Sequence, residues 1–128
     1  VIGIGGVGSV IGQKLHEYDC FDRIVLADMD PVFANQLAAK TPKSRCVVVQ
    51  ANAMQTDELA ALMKEHRIDV TCNACVCLTN HSVMEACLRA GSHYIDMAAD
   101  IYSAPGVKKP RWNTSPRSSA IGCSKSGS

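Results

Sequence analysis

Val1-Ile2-Gly3-Ile4-Gly5-Gly6-Val7-Gly8-Ser9-Val10 opens the chain, and Asp28 follows Gly8 by twenty residues, closing the apolar run Ile24–Ala27. Read together, these two stretches decide the fold. Glycines at 3, 5 and 8 fit the G-x-G-x-x-G spacing of a strand that turns sharply into a helix. Gly3 permits the tight turn, Gly5 lets the backbone approach a pyrophosphate, and Gly8 lets the helix pack against the strand. The free N–H groups at the start of that helix face the phosphates, and the helix dipole adds favourable charge. Asp28 then stands where a carboxylate accepts hydrogen bonds from an adenosine ribose. Glycine spacing alone is a weak signal. With a strand before it and the acid after it, the spacing points to a dinucleotide site rather than to a turn with no ligand.

Outward from this start, strand and helix signals alternate with short connections, the pattern of βαβ units around a parallel sheet. Val1–Ile4 reads as the first strand and residues 7–18 as the first helix, with Val7, Val10, Ile11 and Leu15 on one face. Arg23–Ala27 is the second strand. Asp30 caps a second helix, Pro31 takes its first position, and Phe33, Leu37 and Ala38 point inward before it ends near Lys40. Cys46–Val49 is a β-branched third strand suited to burial on both faces. Thr56 caps a third helix, with Asp57 and Glu58 favourable in its first turn and Leu59, Leu62 and Met63 as its stripe. Ile68–Ala74 is the fourth strand. A fourth helix begins around Asn80, which serves as its cap, carries Val83, Met84, Cys87 and Leu88, and stops at Gly91. Tyr94–Met97 is the fifth strand. The expectation is an α/β fold, a Rossmann-type doubly wound parallel sheet of about five strands with right-handed crossovers, truncated before a sixth.

At 128 residues the chain holds one domain at most, residues 1–100, and is short for a two-domain enzyme. A net charge of +1 makes no case for nucleic acid or a membrane surface. Residues 1–100 carry all twelve acidic side chains against eight basic ones, net −4, while residues 101–128 carry five basic and no acidic ones, net +5. From Ile101 the periodicity stops and Ser, Pro, Gly, Lys and Arg dominate, so residues 101–128 read as an irregular or non-native basic tail. Ala120–Cys123 is its one strand-like piece, and Ser124–Ser128 has the composition of a cloning scar. Lys108, Lys109, Arg111 and Arg117 have only Trp112 interleaved among them, which reads as a solvated tail. No apolar stretch reaches the ~18 residues of a membrane span, and no secretory signal precedes the first strand. The chain starts inside that strand without an initiator Met, so residues are expected ahead of Val1.

Seven cysteines, an odd number in an α/β pattern, point to a reducing compartment and hence the cytoplasm rather than to a disulfide framework. Cys72, Cys75 and Cys77 fall in the apolar run Ile68–Leu78 and read as buried strand residues. No second Cys or His pair at ligand spacing completes a zinc site, so no metal is expected. His16 and His66 sit late in their helices, where a cation is welcome.

Four stretches carry a family likeness: Gly3-Ile4-Gly5-Gly6-Val7-Gly8, Ile24-Val25-Leu26-Ala27-Asp28, Asn73-Ala74-Cys75, and Val83-Met84-Glu85-Ala86-Cys87-Leu88-Arg89-Ala90-Gly91-Ser92-His93-Tyr94-Ile95-Asp96. Through them residues 1–100 resemble the N-terminal cofactor domain of the saccharopine dehydrogenase-like family, which includes lysine dehydrogenases and carboxynorspermidine dehydrogenases. The last stretch is similar to that family's "vMEAClrAGvhYvD" segment. The resemblance implies NAD(P)-linked oxidation of an amino acid or polyamine amine, or reduction of the corresponding imine, with hydride passing at nicotinamide C4. It implies that Gly6 and Val7 sit over the pyrophosphate, that Asn52 and Ala53 lie beside the adenine, and that Asn73, Ala74 and Cys75 run past the nicotinamide ribose. The family often has an acid where Asn52 stands and prolines after Ala74, and here it has neither. Its substrate domain has no counterpart in residues 101–128. The implied partners are a small amino acid or polyamine in the parent enzyme and a second copy of the chain, with no nucleic acid and no membrane.

Asp28 accepts from a 2′-hydroxyl and repels a 2′-phosphate, Met29 supplies no guanidinium, and Asp30 adds a second negative charge. These residues favour NAD over NADP. At the end of the fifth strand, Asp96 is a candidate to orient an amine or accept its proton, weighed against a strand-end carboxylate bonded to nearby backbone. His81, just after the fourth strand, is a candidate to brush the nicotinamide side, weighed against having no part in the site. Two rival readings remain. Gly3–Ser9 with Asp28-Met29-Asp30 also resembles the ATP-binding start of ubiquitin-activating-like adenylyltransferases, although Asn35 stands where their arginine precedes Gln36. A nucleotide-sensing module, such as the regulatory domain of a potassium transporter, shares the glycine loop and the strand-ending Asp.

Overall fold

Four successive apolar residues, Ile24 to Ala27, are all buried because the strand they form is covered on both faces. The computed structural model describes residues 1–42 and 45–98, so the tail expected over residues 101–128 lies outside the described residues. The elements in chain order are α1 (Gly6–Leu15), β1 (Ile24–Asp28), α2 (Val32–Ala38), β2 (Cys46–Gln50), α3 (Thr56–Glu65), β3 (Val70–Asn73), a 3-10 turn (Cys77–Thr79), α4 (Asn80–Ala90) and β4 (His93–Asp96).

β1 pairs in parallel with β2, from Ile24 opposite Cys46 to Asp28 opposite Gln50. β3 pairs in parallel with β4, from Val70 opposite His93 to Asn73 opposite Asp96. The opening segment lies between the two pairs, with Ile2 bridged in parallel to both Ala27 and Asn73. Ile2 N–H donates to Cys72 O at 2.8 Å, Gly3 N–H to Ala27 O at 2.8 Å, and Ala74 N–H to Ile2 O at 2.8 Å. The expected first strand, Val1–Ile4, is thereby reduced to a bridge, and the described residues form four strands rather than five. Its cause is Gly3, whose φ of +85° turns the chain out of the extended conformation one residue after the bridge. Across the molecule the order is β2, β1, opening segment, β3, β4.

Because β-strand side chains alternate, β1 feeds two cores. Ile24 and Leu26 join Ile4, Ala34 and Cys46, with Leu15 and Leu37 packed on them from α1 and α2. Ala27 joins Ile2, Leu59, Met63, Val83, Ala86 and Cys87 on the side of α3 and α4. The helices therefore lie in pairs on opposite faces of the parallel strands. Each large side chain fully buried this way contributes about 1.5–3 kcal/mol.

Local signals fare unevenly. Gly91 ends α4 at φ +75°, as a left-handed stop requires. Asp30 accepts from the Val32 N–H at 3.1 Å, but Pro31 rather than Asp30 takes the cap position of α2, which starts at Val32 and ends at Ala38, short of Lys40. Thr56 is not a cap: it is inside α3, and its hydroxyl reaches Ser82 O at 3.4 Å across the α3–α4 contact. α1 stops at Leu15, and His16 takes the position that follows it.

Both ring nitrogens of His16 are buried without a hydrogen-bond partner among the described residues. Burial first, and then the Arg45 charge, lowers its pKa from the ordinary value near 6.5. A depressed base binds its proton less readily folded than unfolded, so stability is lost as pH falls below about 6.5. Melting temperature is therefore expected to drop between pH 7.5 and 5.5, and His16→Leu to flatten that drop. An unchanged pH slope in His16→Leu would remove His16 from the account.

A cavity of about 690 Å³ opens at the amino ends of the strands, lined by residues such as Val1, Leu15, Phe21, Met63 and Val70. It is at the opposite end of the strands from the glycine turn. Among the described residues no helix is long and apolar enough to cross a membrane.

Candidate dinucleotide site

At the carboxyl ends of the strands the chain leaves the opening segment for β1 on one side, while β3 lies on the other. Such a switch point leaves a crevice between neighbouring loops. The glycine turn fills its floor. A Cβ at Gly3 would sit 2.6 Å from Cys75 Sγ and 3.1 Å from Cys75 N, and its φ of +85° is strained for any other residue. A Cβ at Gly8 would meet Gly3 O at 1.7 Å, so α1 rides directly on the turn. Gly5 and Gly6 are different: a Cβ on either would find nothing within 4 Å. Their open face adjoins the start of α1, where Gly5 offers no side-chain cap and no acid stands in the first turn. Exposed helix amides with a bare backbone approach form a cradle complementary to an anion such as a pyrophosphate. Val7 is exposed beside them.

Asp28, at the end of β1, holds this turn in place. One carboxylate oxygen accepts from Ile4 N–H and the other accepts from Asp30 N–H at 2.9 Å. A carboxylate has about four lone-pair sites, so both oxygens retain acceptor capacity for a ligand. Met29 is 64% exposed next to it, and its carbonyl accepts from Gln50 Nε2 at 3.0 Å. No sequence motif marks Gln50, since only the β1–β2 register brings the two together. On the same side Asn52 closes a turn, its side-chain oxygen accepting from Met54 N–H at 2.9 Å, and the buried Ala53 accepts from Ser82 Oγ at 2.6 Å.

On the other side of the crevice, Asn73 is fully buried. Its Oδ1 accepts from Cys75 N–H at 3.2 Å, and its Nδ2 donates to Thr79 Oγ1 at 3.0 Å, Asn80 Oδ1 at 3.1 Å and the Tyr94 hydroxyl at 3.3 Å. Its amide is spent within the protein, so of Asn73, Ala74 and Cys75 only the latter two are partly accessible. Asn80 is not a helix cap; its amide is drawn to Asn73 and to Ala98 O at 3.2 Å. Burial first, then the negative charge of Asp28, pushes the Cys75 thiol up, which favours its neutral form over the thiolate. Burial likewise raises Cys72. Among the described residues no group of three or more His, Cys, Asp or Glu is placed to hold a metal. Asp96 ends β4 half-buried, opposite Asn73 in register. Burial, with the Asp96 carboxylate adding to it, raises the Tyr94 phenol to about 12. His81 is exposed in the first turn of α4.

A family described as the saccharopine dehydrogenase NADP binding domain matches residues 1–120. The chain belongs to this family. It is 30% identical over 109 residues to a carboxyaminopropylagmatine dehydrogenase of Synechocystis sp., a stretch covering 85% of this chain and 27% of that protein. It is 34% identical over 115 residues to a carboxynorspermidine synthase of Vibrio alginolyticus, covering 80% of this chain and 27% of that protein. The chain thus spans about a quarter of the length of these curated relatives. Membership in the saccharopine dehydrogenase-like family agrees with the parallel strands and paired helix layers, and it sets the adenylyltransferase reading aside.

Proposed function

We propose that this chain is the nicotinamide-dinucleotide-binding part of an oxidoreductase that acts on an amino acid or polyamine amine, or on the corresponding imine. The observation that carries the reading is the open Gly5–Gly6 face at the start of α1, tied through Ile4 to the carboxylate of Asp28. Gly3, Gly5, Gly6, Val7 and Gly8 would hold the pyrophosphate, Asp28 and Met29 the adenosine ribose, and Asn52 and Ala53 the adenine. Ala74 and Cys75 would flank the nicotinamide ribose. The nicotinamide, when bound, supplies hydride transfer at its C4, and the protein's part is to orient it. Asp96, at the carboxyl end of β4, would orient the substrate amine or take its proton. The names of the relatives support the substrate class, since carboxyaminopropylagmatine and carboxynorspermidine each join a carboxyl group to an amine-bearing chain.

Between the two nicotinamide cofactors the proposal is NAD, against the NADP of the family's description. A carboxylate at Asp28 and a thioether at Met29 offer a 2′-phosphate no positive partner. Titration of the chain with NADH, NADPH and ATP–Mg²⁺ by fluorescence or calorimetry is expected to give tightest binding with NADH. NADPH binding as tight as NADH overturns the cofactor choice, and a preference for ATP–Mg²⁺ overturns the oxidoreductase reading. Residues 1–128 alone are expected to bind the cofactor without turning over substrate, which a hydride-transfer assay with amine substrates checks.

A further inference from the structure

We infer that Asn73 is a positioning residue for the nicotinamide end of the site, an inference that rests on the reading just proposed. No other described side chain joins as many elements at the crevice. From the end of β3 its one amide reaches the backbone of Cys75, the hydroxyl of Thr79 in the 3-10 turn, Asn80 at the start of α4 and the hydroxyl of Tyr94 on β4. The segment 74–79 between these anchors is the wall the nicotinamide would lie against. It also carries the exposed apolar side chains Val76 and Leu78. Those residues have little of their own to hold them: the 3-10 turn is three residues long and begins without a side-chain cap.

The chemistry at position 73 is specific. A fully buried amide must satisfy both its acceptor and its donors or lose their solvation outright. Asn73 does so with partners on three sides, and Thr79 adds a second tie by donating to Val76 O at 2.9 Å. Cys75 is the link to the glycine turn, because its thiol and amide face the position a Gly3 side chain would take. Displacing Cys75 therefore displaces the surface under the nicotinamide ribose while leaving Asp28 and its ties to Ile4 and Asp30 untouched. On the far side Tyr94 stays protonated and neighbours Asp96, so the same amide sets the wall relative to the proposed substrate-orienting carboxylate.

The test compares the full chain with Asn73→Asp, which keeps the shape but removes both donors, and with Tyr94→Phe, which removes one partner from a side chain outside the wall. Binding is measured for NADH and, separately, for ADP-ribose, which carries the adenosine and pyrophosphate but no nicotinamide. The expected result for Asn73→Asp is about a tenfold loss for NADH, equivalent to about 1.4 kcal/mol, with ADP-ribose changed less than about twofold. Tyr94→Phe is expected to give the same selective loss at smaller size. A merely structural role would weaken both ligands together, and that outcome overturns the inference, as does NADH binding equal to wild type in both variants. If Asn73→Asp does not fold, an equal loss of both ligands or no loss in Tyr94→Phe overturns it alone. A wild-type chain that binds ADP-ribose but gains nothing from the nicotinamide also overturns it. A wild-type chain that binds neither ligand instead overturns the proposed function, and this inference with it.

Discussion

Gly8→Ala is expected to abolish measurable dinucleotide binding, the largest effect of a single methyl group at any glycine among the described residues. The added carbon would lie 1.7 Å from Gly3 O and 2.8 Å from Gly3 C, with Ala74 Cβ a further 3.3 Å contact. None of these is the far end of a flexible side chain. Gly3 is fixed by its N–H bond to Ala27 O and by a positive φ, so the turn has no direction in which to yield. α1 must instead lift from the turn and carry its first amides out of the anion cradle. Overpacking costs about 1–3 kcal/mol, and contact with backbone places Gly8→Ala at or beyond the upper end. For a domain of this size each kcal/mol lowers the melting temperature by about 4–8 °C. The control is Gly5→Ala, where a methyl group meets nothing in the free protein. That variant should melt close to wild type yet bind NADH at least about tenfold more weakly, a loss of about 1.4 kcal/mol, because its methyl group projects where the pyrophosphate approaches. Calorimetric melting with NADH titration checks both, and Gly8→Ala binding NADH as well as wild type would remove the glycine turn from the site.

The contrast between Gly8 and Gly5 marks how far the sequence can be read. Glycines at positions 3, 5 and 8 identify a turn that enters a helix, because each answers a local backbone demand. The apolar run from Ile24 to Ala27 and the stop at Gly91 are legible for the same reason. What sequence does not carry is the partner of a polar side chain distant along the chain. Asn80 and Thr56 have the composition of caps, yet the Asn80 side-chain oxygen accepts from Asn73, and Thr56 lies inside α3 with its hydroxyl donating to Ser82 O. Gln50 meets Met29 only once β1 and β2 are in register. Gly12 has no motif at all; its Cβ would be 2.7 Å from Leu37 Cδ2, so it sets the closeness of α1 and α2. The opening segment reads as a strand from its β-branched residues, but the same Gly3 that makes the nucleotide turn ends the ladder after one bridge. Function and strand length compete there, and the turn prevails.

Asp28→Asn is expected to shift the ratio of NADH to NADPH affinity by at least about tenfold toward NADPH, and the argument separates two jobs of one carboxylate. As a negative charge it opposes a 2′-phosphate. Two unit charges 4 Å apart at an effective dielectric of about 20 interact by about 4 kcal/mol, and exposure of the ribose side reduces this. As an acceptor it ties the end of β1 to the glycine turn through Ile4 and to the next loop through Asp30. An asparagine keeps one carbonyl oxygen, so one of those two N–H groups loses its acceptor at a cost of about 1 kcal/mol. NADH affinity should therefore fall about fivefold to tenfold from the loss of the tie alone. NADPH affinity should stay level or rise by about twofold, because relief of repulsion cancels or exceeds that loss. Salt separates the two jobs: raising ionic strength from 0.05 to about 0.5 M should narrow the wild-type gap between the cofactors and leave the Asp28→Asn ratio nearly flat. Asp30→Asn is the companion measurement, since the exposed Asp30 carboxylate accepts only from Val32 N–H among the described residues. It should move the ratio in the same direction by a smaller factor. A ratio that is unchanged in Asp28→Asn at low salt would mean that the carboxylate is a fastener of the turn and has no part in choosing the cofactor.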